Sequence, residues 1–281
     1  MAYVLGIVGG SGIYEMAGLE HVSTEQVETP YGPPSSGVVR GKLGGTTLLF
    51  LPRHGKHHQH PPHQINYRAN ICALKKLGAT HVVSLSAVGS MREEIVPGHV
   101  VVVDQYIDLT KRRPSTFFED GIAGHVAFAD PVCPLLSAAL ADASQATGAT
   151  VHRGGTYLCM EGPQFSTRAE SRLYRQWGVS VIGMTAMPEA KLAREAELPY
   201  ATLALATDYD CWHTAGDVNV EAVVAVLKQN AALAQRTVAG LAASLPATEQ
   251  SPAYQASKNA VLTPQNGIAA PVLERLAWLL R

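Results

Sequence analysis

The sequence predicts an α/β protein in which a central mixed, largely parallel β-sheet is flanked by helices in a single domain. Short apolar runs alternate along the chain with segments whose apolar residues recur at helical spacing. Several runs, such as VVVV at 100–103, are continuously apolar, which indicates strands buried on both faces. A length of 281 residues with 47% hydrophobic and 16% charged side chains is typical of a large globular domain.

The elements follow one another in a regular order. Strands are predicted where apolar runs end in Gly, Ser, Thr or Asp, over residues 3–8, 46–51, 81–85, 99–109, 155–160, 179–184 and 200–206. Helices are predicted where apolar residues recur every three or four positions, over residues 64–77, 134–147, 167–177, 188–197, 218–244 and 270–280. Gly78 stands where the first helix needs a C-cap, and Pro188 suits the first turn of the fourth.

Two segments fall outside this alternation. Residues 110–131, rich in Arg, Pro, Phe and Gly, form a loop long enough to predict a lid or a subunit contact. Residues 245–260, rich in Ser, Pro, Ala and Gln, are typical of a linker. We therefore assign residues 1–245 to the main domain. Residues 246–281 are a C-terminal linker and short amphipathic helix, predicted to cover part of the site or to pack on the domain.

Composition excludes several classes of protein. A formal net charge of −1 gives no general attraction for nucleic acid. The apolar runs are far shorter than the ~18 to 20 residues of a membrane span, and the N-terminus lacks the pattern of a signal peptide, so a cytoplasmic protein is expected. The four cysteines are widely spaced without a CxxC pair, which favours reduced thiols over a disulfide scaffold or a zinc finger.

The strongest functional signal is the segment ATLALATDYD, an apolar strand that ends in Asp208 and Asp210. In parallel-sheet proteins, ligands bind in the crevice beyond the carboxyl ends of the strands. A carboxyl group whose pKa is raised by burial or by a neighbouring carboxylate can donate a proton near neutral pH. The pair is also compatible with a solvated turn, but its place between an apolar strand and a tryptophan favours catalysis.

Other strand ends carry groups that suit an oxyanion. Arg53 and His54 offer a forked cation and a second donor, and Ser86 and Thr185 each follow an apolar run. The glycine turn GGSG at 9–12 lacks the third glycine of a dinucleotide fingerprint, but its amides and the Ser11 hydroxyl can still bind an anion. Each feature alone is compatible with a cap or a tight turn, whereas together they favour one shared anion site.

The histidine-rich loop at 54–63 raises the alternative of a metal site. Metal ligands require fixed spacing on a defined element, and this prolyl loop has neither an HExxH motif nor a nearby carboxylate. Solvated loop histidines are the better interpretation, so no metal is predicted. The segments EGPQFSTRAE and GMTAMPEA are also ambiguous, because a helix cap and core methionines would explain them equally well.

Six separated motifs, in order, resemble those of the 5′-methylthioadenosine phosphorylases, which belong to the trimeric purine nucleoside phosphorylase group. They are LPRHGKHHQHPPHQINYRANICALKKLG, SAVGSMREEIVPG, DQYIDLTKRRPSTFF, EGPQFSTRAE, GMTAMPEA and ATDYDCW. The resemblance covers residues 3–245 and implies a nucleoside phosphorylase-type fold. It also implies that residues 265–281 extend past the expected C-terminus of the family.

The resemblance implies phosphorolysis of 5′-methylthioadenosine to adenine and 5-methylthioribose 1-phosphate, as in purine and methionine salvage. Phosphate, a co-substrate, would be bound by Ser11, Arg53, His54, Ser86, the amide of Ala87, and Thr185. The nucleoside would be contacted by Phe165, Ser166, Met184, His125 and Leu262. Asp208 would face N7 of the purine and Asp210 its 6-amino group. The implied assembly is a homotrimer, or a dimer of trimers, in which His125 reaches a neighbour's site. No organic cofactor, metal, nucleic acid or membrane partner is implied.

Four alternatives stay open at this stage. A nicotinamide dehydrogenase is the least favoured, because the glycine fingerprint at 9–12 is broken. The related 6-oxopurine phosphorylases carry Glu where Ser166 stands and Asn where Asp208 stands, so both residues argue against that specificity. A catalytically silent purine-binding protein would lack turnover with phosphate. A nucleosidase that uses water would not need the anion site.

Overall fold

The computed structural model describes residues 3–10, 15–213 and 220–280, which include one eleven-stranded sheet and six α-helices. The strands are β1 (Val4–Gly9), β2 (Glu20–Glu25), β3 (Val38–Leu43), β4 (Thr46–Pro52), β5 (His81–Ser90), β6 (Val100–Val102), β7 (Gln105–Asp108), β8 (Val151–Arg153), β9 (Thr156–Cys159), β10 (Val181–Gly183) and β11 (Tyr200–Asp208). The helices are α1 (Tyr67–Lys76), α2 (Pro134–Ala146), α3 (Arg168–Gln176), α4 (Ala186–Glu195), α5 (Val220–Ala242) and α6 (Ala270–Leu276).

Strand β5 is the centre of the sheet because it pairs with β1, β10 and β11. The main path runs β2-β3-β4-β1-β5-β10-β9-β7, and β11, β6 and β8 branch from β5. Among the described residues, six strand pairings are parallel and four are antiparallel. The predicted mixed, largely parallel α/β fold is therefore confirmed.

Helices cover both faces of this sheet. Successive side chains of a strand point to opposite faces, and in β4 Leu49 and Leu51 join one hydrophobic cluster while Leu48 and Phe50 join another. The first cluster contains side chains from α1, α4 and α6, and the second contains side chains from α2 and α5. Burial on both faces explains why the strand sequences are continuously apolar.

The single strand predicted over residues 99–109 is wrong, because the structure has two strands there. β6 pairs with β11 and β8, whereas β7 pairs with β9. Between them Asp104 accepts a hydrogen bond from the Gly155 amide at 3.0 Å, and the chain changes its neighbours at this point. The break falls at the polar residues Asp104 and Gln105, a signal in the sequence that the single-strand prediction overlooked.

Strands β2, β3 and β8 were not predicted from the sequence. β2 reads EHVSTE and is almost fully exposed, and β8 has three residues that are half-buried or exposed. β2 and β8 are held by hydrogen bonds to a neighbouring strand rather than by burial, whereas β3 buries only Val38 and Gly41 among half-buried and exposed residues. A hydrophobic pattern therefore does not find them.

The C-terminal segment packs beside the long loop at 110–131. Phe117 of that loop is fully buried, and the ring of Trp278 meets it edge-on at 4.9 Å. The amide of His125 donates to the carbonyl of Ala260 at 2.9 Å, so the loop also pairs with residues of the 246–280 segment. The first half of the loop is therefore fixed in the core, unlike a free lid. No helix within the described ranges is long and apolar enough to cross a membrane.

Candidate active site

The branch point of the sheet opens a cavity of about 510 Å³. Gly89 of β5 pairs with both β10 and β11, so these strands diverge just where their polar ends begin. Most of the predicted site residues line this cavity, namely Arg53, His54, Ser86, Ala87, Phe165, Met184, Thr185, Asp208 and Asp210. The volume falls in the range of small-molecule sites, roughly 300 to 1,000 Å³.

Four predicted residues are not among those lining the cavity. Ser11 lies outside the described residues. The hydroxyl of Ser166 contacts the sulfur of Met160, a cavity residue, at 3.7 Å. His125 and Leu262 are both exposed and lie next to each other, because the Leu262 amide donates to the carbonyl of Ala123.

Arg53 is buried, with 2% of its surface exposed, and is held by a buried carboxylate. Its Nε donates to Glu189 Oε2 at 2.8 Å and its Nη2 to Glu189 Oε1 at 3.0 Å. Nη2 also donates to Ser84 Oγ at 2.7 Å and to the Val8 carbonyl at 3.2 Å, and Nη1 donates to the Leu85 carbonyl at 3.2 Å. Of its five N–H groups, only one on Nη1 is left for a ligand.

This arrangement corrects the predicted role of Arg53 as a forked cation. The fork is occupied by Glu189, so Arg53 can offer an anion one hydrogen bond rather than two. Burial alone would lower the pKa of the guanidinium, but the Glu189 carboxylate more than offsets it and holds the pKa above its ordinary value. Because the charges of Arg53 and Glu189 cancel, the pair offers a bound anion one oriented N–H donor but little net positive charge.

His54 is fixed by its own loop. Its Nδ1 lies 2.9 Å from the carbonyl oxygen of His60, and its ring stacks on that of His58 with centroids 4.3 Å apart. Burial lowers the pKa of the imidazole to about 4, and the charge of Arg53 adds to this effect. His54 is therefore a neutral ring near neutral pH, in contrast to the simple donor that the sequence predicted.

Three linked hydroxyl groups complete the polar end of the cavity. Ser86 Oγ lies 3.1 Å from Thr185 Oγ1 and 3.0 Å from the hydroxyl of Tyr157. Burial raises the pKa of Tyr157 to about 12, so the phenol keeps its hydrogen. Ala87, next to Ser86, is exposed within the open cavity. This group of residues can donate several hydrogen bonds to a tetrahedral oxyanion.

Asp208 accepts two hydrogen bonds from its own segment. Its Oδ1 accepts from the Asp210 amide at 2.8 Å, and its Oδ2 accepts from the Thr207 hydroxyl at 2.7 Å. Asp208 thus has a fixed orientation at the cavity wall.

Asp210 lies in a different environment although it is two residues away. It is 4% exposed, and its Oδ2 is buried without a hydrogen-bond partner among the described residues. Burial raises the pKa of this carboxyl group and the Asp208 charge adds to the rise, while the neighbouring Ser171 and Ser166 hydroxyls oppose it. Of the two aspartates, Asp210 is the one whose surroundings favour the protonated form.

An apolar wall separates these two polar ends. Phe165 is 51% exposed and borders the cavity with Met160 and Met184. Behind this wall Arg113, a buried residue of the long loop, donates to the carbonyl oxygens of Glu161 at 2.6 Å and Met184 at 2.7 Å. The open face of an aromatic ring beside two thioethers suits a flat heterocycle and a sugar.

Sequence reasoning missed the residues that hold the site from behind, namely Arg113, Tyr157, Glu189 and Thr207. Glu189 and Arg113 are charged residues in otherwise apolar or loop segments, and a charge at such a position is the one signal that was available. Their partners lie 136 and 71 residues away, so only the fold brings them together. The described residues contain no cluster of three or more His, Cys, Asp or Glu side chains suited to a metal ion.

The class of protein now follows from the fold and from comparison with known proteins. The family described as "Phosphorylase superfamily" has a sequence model that matches residues 4–243, and this chain belongs to that family. A curated relative from Geobacter sulfurreducens, an S-methyl-5′-thioadenosine phosphorylase, is 56% identical over 98% of this chain and 97% of the relative. One from Thermosynechococcus vestitus, of the same name, is 51% identical over 100% of this chain and 99% of the relative.

Solved structures agree with these relatives. A methylthioadenosine phosphorylase from an antarctic soil metagenomic library superposes with a TM-score of 0.94 at 46% identity, covering 100% of this chain and 99% of that one. The methylthioadenosine phosphorylase of Schistosoma mansoni in complex with adenine gives a TM-score of 0.82 at 35% identity, covering 85% and 91% of the two chains. The expectation that residues 265–281 extend past the family's C-terminus is wrong, because several of these matches span nearly the whole chain.

Proposed function

We propose that the protein cleaves 5′-methylthioadenosine with phosphate, giving adenine and 5-methylthioribose 1-phosphate. The observation that carries this function is one cavity with an oxyanion end, formed by Arg53, Ser86 and Thr185, and an acid end, formed by Asp208 and Asp210. The relatives of the same name, at 51 to 56% identity, support it. The reaction belongs to purine and methionine salvage.

The two ends of the cavity divide the chemistry. The bond between C1 of the ribose and N9 of the purine breaks, and its electron pair passes to the base. A proton delivered to N7 makes adenine a neutral leaving group, and a phosphate oxygen then forms the new bond to C1. Phosphate also stabilises the positive charge that develops on the sugar, which is the type of electrostatic effect that contributes most to many enzymes. Phosphate is a co-substrate, and no other cofactor takes part in this scheme.

We infer that the proton delivered to N7 resides on Asp210 before the reaction and can exchange between Asp210 and Asp208. The sequence prediction gave N7 to Asp208 and the 6-amino group to Asp210. The buried, unpartnered oxygen of Asp210 supports placing the proton there, whereas both oxygens of Asp208 already accept hydrogen bonds from its own segment. Interacting carboxyl groups titrate as a pair, so the proton can serve N7 from either side chain.

Adenine selectivity is also supported by this pair. Once the proton has passed to N7, both side chains are carboxylates, and a carboxylate accepts a hydrogen bond from an exocyclic amine but repels the oxygen of a 6-oxopurine. Ser166, whose hydroxyl contacts the Met160 sulfur, stands where the 6-oxopurine phosphorylases carry Glu, so that carboxylate is replaced by a hydroxyl here. We therefore propose 5′-methylthioadenosine rather than 5′-methylthioinosine as the preferred substrate.

The proposed active form is a homotrimer, or a dimer of trimers, in which His125 and Leu262 border the 5′ substituent of a neighbour's substrate. Both residues are exposed and adjacent, and neither lines the cavity of its own chain. The 246–281 segment is proposed to hold the loop that carries His125, through contacts such as the one between the His125 amide and Ala260.

The function is tested by product analysis with 5′-methylthioadenosine, 5′-methylthioinosine and adenosine, each with and without phosphate. We expect adenine and 5-methylthioribose 1-phosphate from the first substrate, and only when phosphate is present. Equal cleavage in phosphate-free buffer would indicate a nucleosidase, and preference for methylthioinosine would overturn the assignment of the aspartates. Thr185→Val should raise the phosphate KM, because it removes a hydroxyl that supports the oxyanion end.

A further inference from the structure

The orientation of the His54 ring decides which of its nitrogens can meet a ligand. Nδ1 lies 2.9 Å from the His60 carbonyl oxygen, and the His60 amide donates back to the His54 carbonyl at 3.0 Å. A carbonyl oxygen only accepts hydrogen bonds, so Nδ1 carries the hydrogen. Stacking on His58, at 4.3 Å between centroids and 16° between planes, holds the ring in this position.

The consequence is that Nε2 is a hydrogen-bond acceptor when the ring is neutral. His54 lines the cavity, and its Nδ1 edge is occupied by His60, which leaves the Nε2 edge for a ligand. Among the described residues, Nε2 has no hydrogen-bond partner. It is the acceptor in a set of groups that otherwise offer hydrogens to an anion, which are Arg53, Ser86, Thr185 and the Ala87 amide.

The groups around His54 disfavour its protonated form. Arg53, His58 and His60 are the charged or titratable groups that act on the ring, and each of them opposes a positive charge on it, although the backbone contact with His60 favours one. Burial acts in the same direction and, with these charges, lowers the pKa of His54 to about 4. An anion that needs a donor from His54 must therefore bring a proton into the site.

Tetrahedral oxyanions differ in whether they carry a hydrogen of their own. Sulfate near neutral pH has only acceptor oxygens, so one of its oxygens would face the lone pair of Nε2. Phosphate keeps at least one O–H group at the same pH, and that group can donate to Nε2 while the other oxygens accept from the donor groups. A site built with one acceptor rejects the anion that has no hydrogen to give.

We infer that His54 recognises the hydrogen of the bound oxyanion, so that the site selects phosphate over sulfate. This inference rests on the proposed phosphate-dependent function and adds to it the residue that determines anion specificity. It assigns His54 a role as an acceptor, opposite to the donor role expected from the sequence. Arsenate, which keeps a hydrogen near pH 8 as phosphate does, belongs with phosphate in this scheme.

The test is calorimetric titration of the nucleoside-free protein with phosphate, arsenate and sulfate at pH 8. We expect sulfate to bind at least about tenfold more weakly than the other two anions. Binding of sulfate should be coupled to the uptake of a proton by His54, which is measured from the dependence of the binding heat on the ionisation enthalpy of the buffer. The affinity for sulfate should therefore rise as the pH falls. Phosphate added as the dianion should bind without that uptake.

His54→Gln provides the matched variant, because its amide can donate or accept without a proton from solvent. The preference for phosphate over sulfate should fall to about twofold or less, and sulfate binding should lose its proton uptake. His57→Gln, a change of an exposed histidine in the same loop that does not line the cavity, should leave both quantities unchanged.

The outcomes separate this inference from the proposed function. If the wild-type protein shows no phosphate-dependent cleavage, the function fails. If it shows cleavage but binds sulfate as tightly as phosphate without proton uptake, the role of His54 alone is overturned. A loss of folding in His54→Gln, seen as a lowered melting temperature, leaves the wild-type anion series and its pH dependence as the deciding measurement.

Discussion

At the scale of single residues, Asp210 combines a functional position with a cost in stability. Its carboxyl group is buried, and one of its oxygens has no hydrogen-bond partner among the described residues. An ionised group in that position loses hydration that the protein does not fully replace. The raised pKa of Asp210 is the physical expression of that cost, and it also makes the group a better proton donor than an ordinary aspartate.

Asp210→Asn should therefore inactivate the enzyme and stabilise it. We expect kcat to fall by roughly 10² to 10⁴, the usual contribution of a general acid. A raised pKa means that the folded state retains a proton that the unfolded state has lost. Wild-type stability thus decreases as the pH rises from the ordinary value of Asp through the folded pKa, and the variant should lose this decrease.

Melting temperatures measured from pH 4 to 9 for both proteins check this prediction. The melting temperature of the variant should rise relative to that of the wild type as the pH increases, and the difference should then become constant. Asp208→Asn is the control. Both carboxyl oxygens of Asp208 accept hydrogen bonds, so this variant should be less stable than the wild type. A stability difference for Asp210→Asn that does not change with pH would contradict the raised pKa.

Most of the site residues predicted from the sequence line the cavity, whereas the state in which the structure holds them was not predicted. Arg53 and His54 stand at a strand end, where position alone indicates an anion site. That Glu189 occupies the Arg53 fork, and that the His60 carbonyl turns His54 into an acceptor, depends on side-chain geometry and not on residue type. The raised pKa of Asp210 likewise depends on its burial, and the sequence, in which the two aspartates lie only two residues apart, does not reveal that burial.

At the scale of elements, one arginine ties together the segments that form the nucleoside wall. Nη1 of Arg113 donates to the carbonyls of Met184 and Met187, and Nη2 donates to the carbonyls of Met160 and Glu161. These four carbonyls lie after β9 and after β10. Arg113 thus fixes the distance between two neighbouring strand ends, although it belongs to a loop that follows β7.

Arg113→Lys should disturb substrate binding more than folding. An ammonium group cannot reproduce the planar fork that reaches both segments. We expect the nucleoside KM to rise about 10- to 100-fold with a smaller change in the phosphate KM, and the free energy of unfolding to fall by about 2 to 4 kcal/mol. Steady-state kinetics with each substrate varied, together with urea unfolding, measure these effects.

Arg194→Lys is the matched control for a merely structural role. Arg194 is also buried, and it donates to the carbonyls of Ala127 and Asp130 in the same long loop, away from the cavity residues. It should lose comparable stability and keep its nucleoside KM. If both variants change KM alike, or neither does, Arg113 does not position the wall.

The elements themselves were predictable where burial dictates their sequence. β1, β4, β5 and β11 are apolar because they lie between two helical layers, and all four were found from the pattern. β2 and β8 are exposed, so hydrogen bonding to a neighbour defines them and composition does not. The break between β6 and β7 falls at the polar residues Asp104 and Gln105, and it was missed because the apolar runs on either side of them were assigned to one strand.

At the scale of the whole molecule, His125 and Leu262 do not line the cavity of their own chain. The amides of His125 and Leu262 donate hydrogen bonds to the carbonyls of Ala260 and Ala123, which hold the two residues together, and both residues are exposed. In a cyclic oligomer, a residue that does not reach its own cavity is free to reach the next one. The proposed trimer would then have sites that each contain side chains from two chains.

Complementation between two inactive variants tests this arrangement. His125→Ala and Asp208→Asn should each have low activity, and a mixture refolded together or allowed to exchange subunits should regain it. With random assortment, about a quarter of the sites would pair an intact Asp208 with an intact neighbouring His125, so recovery should approach that fraction of wild-type activity. A mixture of Asp208→Asn with Asp210→Asn should recover nothing, because both aspartates line the cavity of one chain and no mixed site contains the two of them intact. Absence of recovery in the first mixture, with subunit exchange shown by mass spectrometry of labelled chains, would place every essential residue of the site in a single chain.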